Sequence, residues 1–249
     1  MELATNFRKY RMKGLFVIIL FSLASTCYTQ GLFEYFKLTA DDDGPEKFDR
    51  ISVDFNWDSW LGAKEEITTG TVSIGLNAYW YKDMPFGKKS RVSLAIGLGI
   101  GSHNVHHNGE FISIDSAGVS YTGLYARSQE SVWKKNKVTS NYVDIPLELR
   151  FRNMNIKSKK EGGKTKSFRF YPGFKFGLMV NNHVKWKDAK IKYKVYNIDN
   201  MLRYRYGMTL RIAFNKFAIH GFYSLTPLFS KEKGDQLYPI SVGVSWIRF

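Results

Sequence analysis

Three histidines, His103, His106 and His107, stand in a short stretch with Ser102, Glu110, Ser113 and Asp115 close by. Histidine is the side chain whose ordinary pKa lets it carry protons near neutral pH. With a serine to activate and a carboxylate to orient the ring, such a trio is raw material for hydrolysis or acyl transfer. Geometry decides the matter, because a general base needs its partners at hydrogen-bond distance. The trio makes a poor metal site, since no carboxylate stands at a known ligand spacing. No metal and no cofactor is expected. Glycines 97, 99 and 101 alternate along an apolar run and read as strand glycines, not as a phosphate-cradling loop.

A second set of residues carries charge rather than chemistry. Asp54, Asp144, Glu148, Arg150, Arg169, Lys175, Arg203, Arg205 and Arg211 fall opposite the apolar side of alternating stretches, as do Asp58, Arg152 and His220. Charges at every second strand position are unfavourable in an apolar core, where they would be buried unpaired. They suit a narrow barrel whose lumen is a packed network of opposite charges. Asp54, Asp144 and Glu148 are therefore expected to meet basic partners inside.

The elements that position these residues are strands. In 51–58, Ile51, Val53, Phe55 and Trp57 share one face while Ser52, Asp54, Asn56 and Asp58 share the other. Comparable segments are expected at 50–60, 70–82, 90–102, 140–152, 168–181, 201–214, 217–226 and 237–249. Apolar faces include Val92 to Ile100, Val143 to Phe151, Phe168 to Val180 and Tyr204 to Phe214, each taken at every second residue. Transmembrane strands need about 9–11 such residues, apolar toward lipid. The expected fold is all-β: an eight-stranded antiparallel up-and-down transmembrane β-barrel over 49–249. Ten strands result if 111–133 adds a hairpin, though its arms lack a full lipid-facing band and read as extensions above the membrane.

The N-terminal segment supports export. Arg8, Lys9, Arg11 and Lys13 precede the apolar run Leu15–Leu23, too short to span a bilayer as a helix. Residues 1–29 read as a cleaved signal peptide and 30–48 as a polar periplasmic leader. Acylation at Cys27 is the alternative, but Ala24 is an unusual residue three places before the cysteine. Cys27 is the sole cysteine, so the remainder has no disulfide and no thiolate chemistry. Net charge is +15. Four of the basic residues and Glu2 lie in 1–29, which leaves +12 beyond it. No nucleic-acid motif accompanies this charge, and a basic rim beside anionic lipid explains it.

Under this topology 61–69, 103–139, 182–200 and 227–236 face outside, while 83–89, 153–167 and the Asn215-Lys216 turn face the periplasm. Aromatic residues make up 16% of the chain. Trp57, Trp60, Trp80, Tyr81, Phe151, Phe214, Phe217 and Trp246 sit at strand ends, where interfacial girdles form. Trp133 and Trp186, in outer loops, are the candidates for contact with a ligand or partner.

The run Tyr142-Val143-Asp144-Ile145-Pro146-Leu147-Glu148-Leu149 resembles an element of the PorT-like outer-membrane β-barrels common in Bacteroidota. Pro172-Gly173 and the glycine-rich third strand fit the same likeness, which covers most of 50–249. The resemblance implies a Gram-negative outer membrane, contact with its lipid and lipopolysaccharide, and insertion by the barrel-assembly machinery. Some members of that family act in type IX secretion, which implies a non-enzymatic structural or accessory role with envelope or secretion-complex proteins. The alternatives are a lipid A or phospholipid hydrolase or acyltransferase built on the histidine trio, and a small porin. The terminal Phe249 is similar to the barrel-assembly signal, although Arg248 rather than Phe249 shares the parity of Trp246. A bulge near Ile247 or a variant signal would account for that.

Overall fold

The computed structural model describes residues 49–86, 91–116, 118–127, 133–156, 166–188, 191–214 and 216–248. The expected signal peptide, the leader and the centre of the basic loop 153–167 lie outside the described residues. The strands are β1 (Ile51–Leu61), β2 (Ile74–Pro85), β3 (Val92–His106), β4 (Gly109–Ser116), β5 (Val119–Ala126), β6 (Trp133–Ile156), β7 (Lys166–Asp188), β8 (Lys192–Tyr196), β9 (Tyr204–Phe214), β10 (Phe217–Ser224) and β11 (Tyr238–Arg248).

The sheet runs β6-β3-β2-β1-β11-β10-β9-β7, and a β6–β7 pairing closes it. The result is an eight-stranded antiparallel barrel. Closure leaves no edge, which is the condition for backbone to cross hydrocarbon. Strands β4 and β5 form a separate two-stranded sheet, so the count is eight and not ten. Strand β8 adds only to the outer end of β7.

Alternation sets which side meets lipid. Phe55, Trp57, Ile74, Leu98, Ile100, Ile145, Phe174, Leu178, Met208, Ile219 and Val244 are all exposed, while the residues between them turn inward. Exposed apolar faces of this extent are explained by a lipid solvent. Phe151, Phe168, Phe214, Phe217 and Trp246 ring the short-turn end as an aromatic girdle. Two expected girdle residues are elsewhere: Tyr81 turns into the lumen and Trp60 into a core above the barrel. Parity places Tyr81 inside. Trp60 lies where β1 has already risen past the apolar belt.

A proline sits mid-strand in β6. Pro146 has no N–H to donate, and the ladder between β3 and β6 skips the neighbouring positions, from Ile96–Leu147 to Gly99–Asp144. Gly97 faces it. A Cβ at Gly97 would stand 2.8 Å from Tyr81 Cδ1 and 2.9 Å from Pro146 Cγ. Only glycine leaves room for the proline ring there. Further along, the pairing of β6 with β7 shifts between Asn141 and Tyr142, with Val180 as the extra residue on β7.

At the long-loop end the chain is more ordered than its loops suggested. β6 and β7 pair out to Trp133 and Asp188, well beyond the expected 140–152 and 168–181. Trp60, Ile67, Val105, Leu124, Val138, Met201, Leu228, Phe229 and Leu237 form a buried apolar core there. The hairpin β4–β5 is bolted to it. Thr122 N donates to Lys233 O at 2.9 Å, and Asp235 accepts from Leu124 N at 2.6 Å and Tyr121 Oη at 2.9 Å. Together these loops cap the mouth. At the opposite end β11 keeps an unbroken register with β1 through Arg248. Trp246 and Arg248 face out and Ile247 is buried beside Ala213 and Ala218, so of the two accounts offered for the chain's end the bulge near Ile247 is absent. Phe249 lies outside the described residues.

Candidate functional site

The lumen holds the charges in layers. Nearest the short-turn end, Asp49 pairs with Arg169 and accepts from Tyr171 Oη at 2.6 Å. Asp83 accepts from Arg152 at 2.7 Å, Arg150 at 3.2 Å and Ser93 Oγ at 3.0 Å. Arg150 Nε also donates to Glu148 at 2.9 Å, and its guanidinium lies over the Tyr81 ring.

The middle layer turns on Glu148, Asp54 and Asp144. Glu148 accepts from Tyr81 Oη at 2.9 Å and pairs with Arg211 at 3.3 Å. Arg211 Nη2 also reaches both oxygens of Asp54, at 3.0 and 3.2 Å. Asp144 accepts from Tyr79 Oη at 3.0 Å and from Arg205 Nη2 at 3.0 and 3.1 Å, with Lys175 at 3.7 Å. Arg205 stacks on Tyr142 at 3.6 Å, and Lys175 stands over the Phe222 ring at 3.9 Å. The inward positions of the Tyr142–Glu148 run therefore build this layer: Tyr142, Asp144 and Glu148 hold cations, and Pro146 lies against Gly97.

Among the described residues, the lumen holds six carboxylates (Asp49, Asp54, Asp58, Asp83, Asp144, Glu148) and six basic side chains (Arg150, Arg152, Arg169, Lys175, Arg205, Arg211), with Asp58 held by His103 and Ser241 rather than by one of these cations. The interior is neutral by count. Isolated buried charges would each cost several kcal/mol, and mutual pairing with tyrosine hydroxyls in support removes that cost. Two lumen cavities, one beside Asp54, Asn77 and His220 and one beside Asp58 and Tyr142, measure about 20 Å³ each. Each has room for about one water.

Eight of the nine expected network residues lie in this lumen. Arg203 does not. It is exposed at a bend just before β9, above the mouth, where strand parity no longer directs the side chain. Sequence reasoning did not find Asp49, Asp83 or the inward tyrosines. Asp83, Tyr79 and Tyr81 share one parity on β2 and were legible by it. Asp49 precedes β1, where no parity holds.

The histidines separate. His103 lies inside the barrel on β3, His106 is half-buried on the opposite, outward side of that strand, and His107 is buried in the cap between the rings of Trp60 and Phe111, each at 5.4 Å. Burial pushes the His107 ring down to about 4. His103 Nδ1 is 3.0 Å from Asp58, while Arg205 Nη2 is 3.0 Å from Nε2. Arginine only donates, so Nε2 accepts and Nδ1 carries the proton to Asp58. The lone pair that a general base would use is thus engaged by Arg205. Ser241 Oγ donates at 2.6 Å to Asp58 and not to the ring, so serine, histidine and carboxylate are present in the wrong order for nucleophile activation. No cluster of metal-ligating side chains occurs among the described residues.

Of the two tryptophans expected to contact a ligand or partner, Trp186 is not presented to solvent. Trp186 is buried under the Arg127 guanidinium, 3.8 Å from its ring centre. Its strand continues into the cap instead of ending at 181. Trp133 opens β6, and its side chain lies outside the described residues.

A closed antiparallel barrel with an apolar belt, an aromatic girdle and a charge-filled lumen defines an outer-membrane β-barrel protein. The chain belongs to the outer membrane protein beta-barrel domain family, whose model matches residues 48–230. No curated protein and no solved structure matches the chain. The family match ends before β11, the strand that completes the barrel by pairing with β1 and β10.

Proposed function

We propose that this protein is a sealed, non-enzymatic outer-membrane barrel, a structural or accessory component of protein secretion or envelope assembly. The observation that carries the reading is the filled lumen: the interior charges are paired with one another, and an apolar core of loops lies over the mouth. Such an interior serves as a rigid plug, and the folded outer loops present the surface on which partners can act. The likeness of Tyr142–Leu149 to PorT-like barrels supports the secretion and assembly setting, with insertion by the barrel-assembly machinery. The diverging histidines favour this reading over a lipid A or phospholipid hydrolase, and the cavities of about 20 Å³ favour it over a porin.

Two measurements test it. Purified protein in planar bilayers gives no steady conductance; a large open current would replace the reading with a pore. Deletion of the gene changes the set of secreted or surface-anchored proteins. An unaltered secretome and surface proteome would remove the accessory role.

A further inference from the structure

Beyond the barrel, the β6–β7–β8 wing carries lysines in two rows. Lys137 pairs across to Lys185, and Lys185 to Lys194; one step further out Lys135 pairs with Lys187, and Lys187 with Lys192. Neighbouring strands lie about 4.8 Å apart, and like charges directly opposite each other are destabilising. No carboxylate of the described residues lies within ion-pair distance of any of the six. Among the described residues of the wing the carboxylate is Asp188, which accepts from Ile191 N at 2.6 Å. Partial burial and then Lys135, Lys185 and Lys194 hold the Lys137 ammonium below its usual range.

The rows have a definite orientation. On β6 the outward face passes from Ile145 and Val143 to Lys137, and on β7, after the Val180 bulge, from Leu178 to Lys185. The same face that meets hydrocarbon therefore becomes cationic as it rises. Lys185 is five residues past Val180, about 16 Å along the strand, or about 12 Å in height at the usual barrel tilt. Lysine side chains reach back along such a surface toward the bilayer. That height is above the head of an ordinary phospholipid and within reach of a multi-sugar head.

We propose that this lysine face binds the phosphate-bearing sugar headgroup of an outer-leaflet glycolipid, which supplies the anions the two rows lack. The lipid's acyl chains lie against Val143, Leu178 and Val180 while its phosphates neutralise the Lys137–Lys185–Lys194 row.

The test is native mass spectrometry of the full chain in neutral detergent, titrated with phosphorylated rough lipopolysaccharide or with the same lipid after phosphate removal. Wild type retains the phosphorylated form and not the dephosphorylated one. The triple variant Lys137→Gln, Lys185→Gln, Lys194→Gln binds about 100-fold more weakly, each lysine near an anionic surface contributing about a factor of five. A control variant on the other outer loops, Lys64→Gln with Lys231→Gln and Lys233→Gln, binds as wild type does. Heat-modified gel mobility establishes that each variant is folded; in the wing variant relief of repulsion offsets the loss of the Lys137 Nζ hydrogen bond to Asn104 Oδ1. Equal retention by the wing variant, equal binding of the dephosphorylated lipid, or equally tight binding of a DNA oligomer overturns the proposal.

Discussion

Asp144 is the carboxylate whose removal isolates the most charge. Among the described residues Arg205 has no other carboxylate within ion-pair distance, and without Asp144 its remaining hydrogen-bond partner there is His103 Nε2. Lys175 loses its one ion pair and keeps the Tyr79 hydroxyl at 3.2 Å. Glu148 is different, because each of its cations has a second anion: Arg150 keeps Asp83 and Arg211 keeps Asp54. Removing one partner of a buried pair costs about 3–5 kcal/mol when the other charge is left uncompensated. Asp144→Asn should lie in that range. Glu148→Gln should cost about 1–2 kcal/mol, the loss of charge-assisted hydrogen bonds that are partly replaced. The assay is urea unfolding in detergent, read by the heat-modified gel shift, with Asp115→Asn on the exposed β4 strand as the neutral reference. The double variant Asp144→Asn, Arg205→Gln should recover part of the loss, a coupling of about 1–3 kcal/mol. Equal costs for Asp144→Asn and Glu148→Gln, or an Asp144→Asn no worse than Asp115→Asn, would refute the reasoning.

The cap supplies two further tests. Asp235 joins the β4–β5 hairpin to the last outer loop through Leu124 N, Tyr121 Oη and Lys64, the last at 3.6 Å; Asp235→Ala strands the buried Leu124 amide at a cost of about 1–3 kcal/mol, and limited proteolysis should cleave the outer loops faster while the membrane-embedded barrel stays protected. His107 is buried with its pKa lowered to about 4 against about 6.5 unfolded, so the unfolded loops bind the proton first. Its contribution to cap stability is complete above pH 6.5 and is lost as pH falls toward 4, by up to about 3 kcal/mol. Outer-loop protease sensitivity should rise over that window in wild type and respond less in His107→Gln; identical pH profiles would count against a buried neutral ring.

What the sequence made legible was whatever repeats at period two. The lipid faces of the barrel strands and the inward turn of Asp54, Asp144, Glu148, Arg150, Arg169, Lys175, Arg205 and Arg211 follow from alternation alone, since a one-residue slip would exchange lipid for lumen. The cap was not legible. Ile67, Leu124 and the group Leu228, Phe229 and Leu237 come from three separate connections with no shared period, and their common core exists only once the barrel has brought its long loops together. The same limit misplaced His103. The apolar face of β3 ends at Ile100, so the strand was expected to end at 102, yet its backbone pairing continues to His106. Strand ends in a membrane barrel are marked in sequence by the hydrocarbon boundary, whereas the ladder stops where hydrogen-bonding partners stop. Trp186 was misread for that reason too.

The lumen pairs join residues far apart in the chain: Asp54 and Arg211 are 157 positions apart, and Asp49 and Arg169 are 120. A growing sheet that held only β1 to β6 would carry Asp54 without its arginine and Asp144 without Arg205 or Lys175. Those carboxylates would face hydrocarbon or an open groove uncompensated, an arrangement that costs several kcal/mol for each charge. Partly built barrels are therefore penalised twice, by a bare sheet edge and by unneutralised anions: Asp144 gains Lys175 and Arg205 as β7 and β9 add, whereas the bare edges are removed, and Asp54 is fixed against Arg211, only when β11 meets β1. Pairing at such sequence separation makes folding slow. The same pairing makes it close to all-or-none, so a nascent chain is held off the bilayer interior until its last strands are available to zip the cylinder shut.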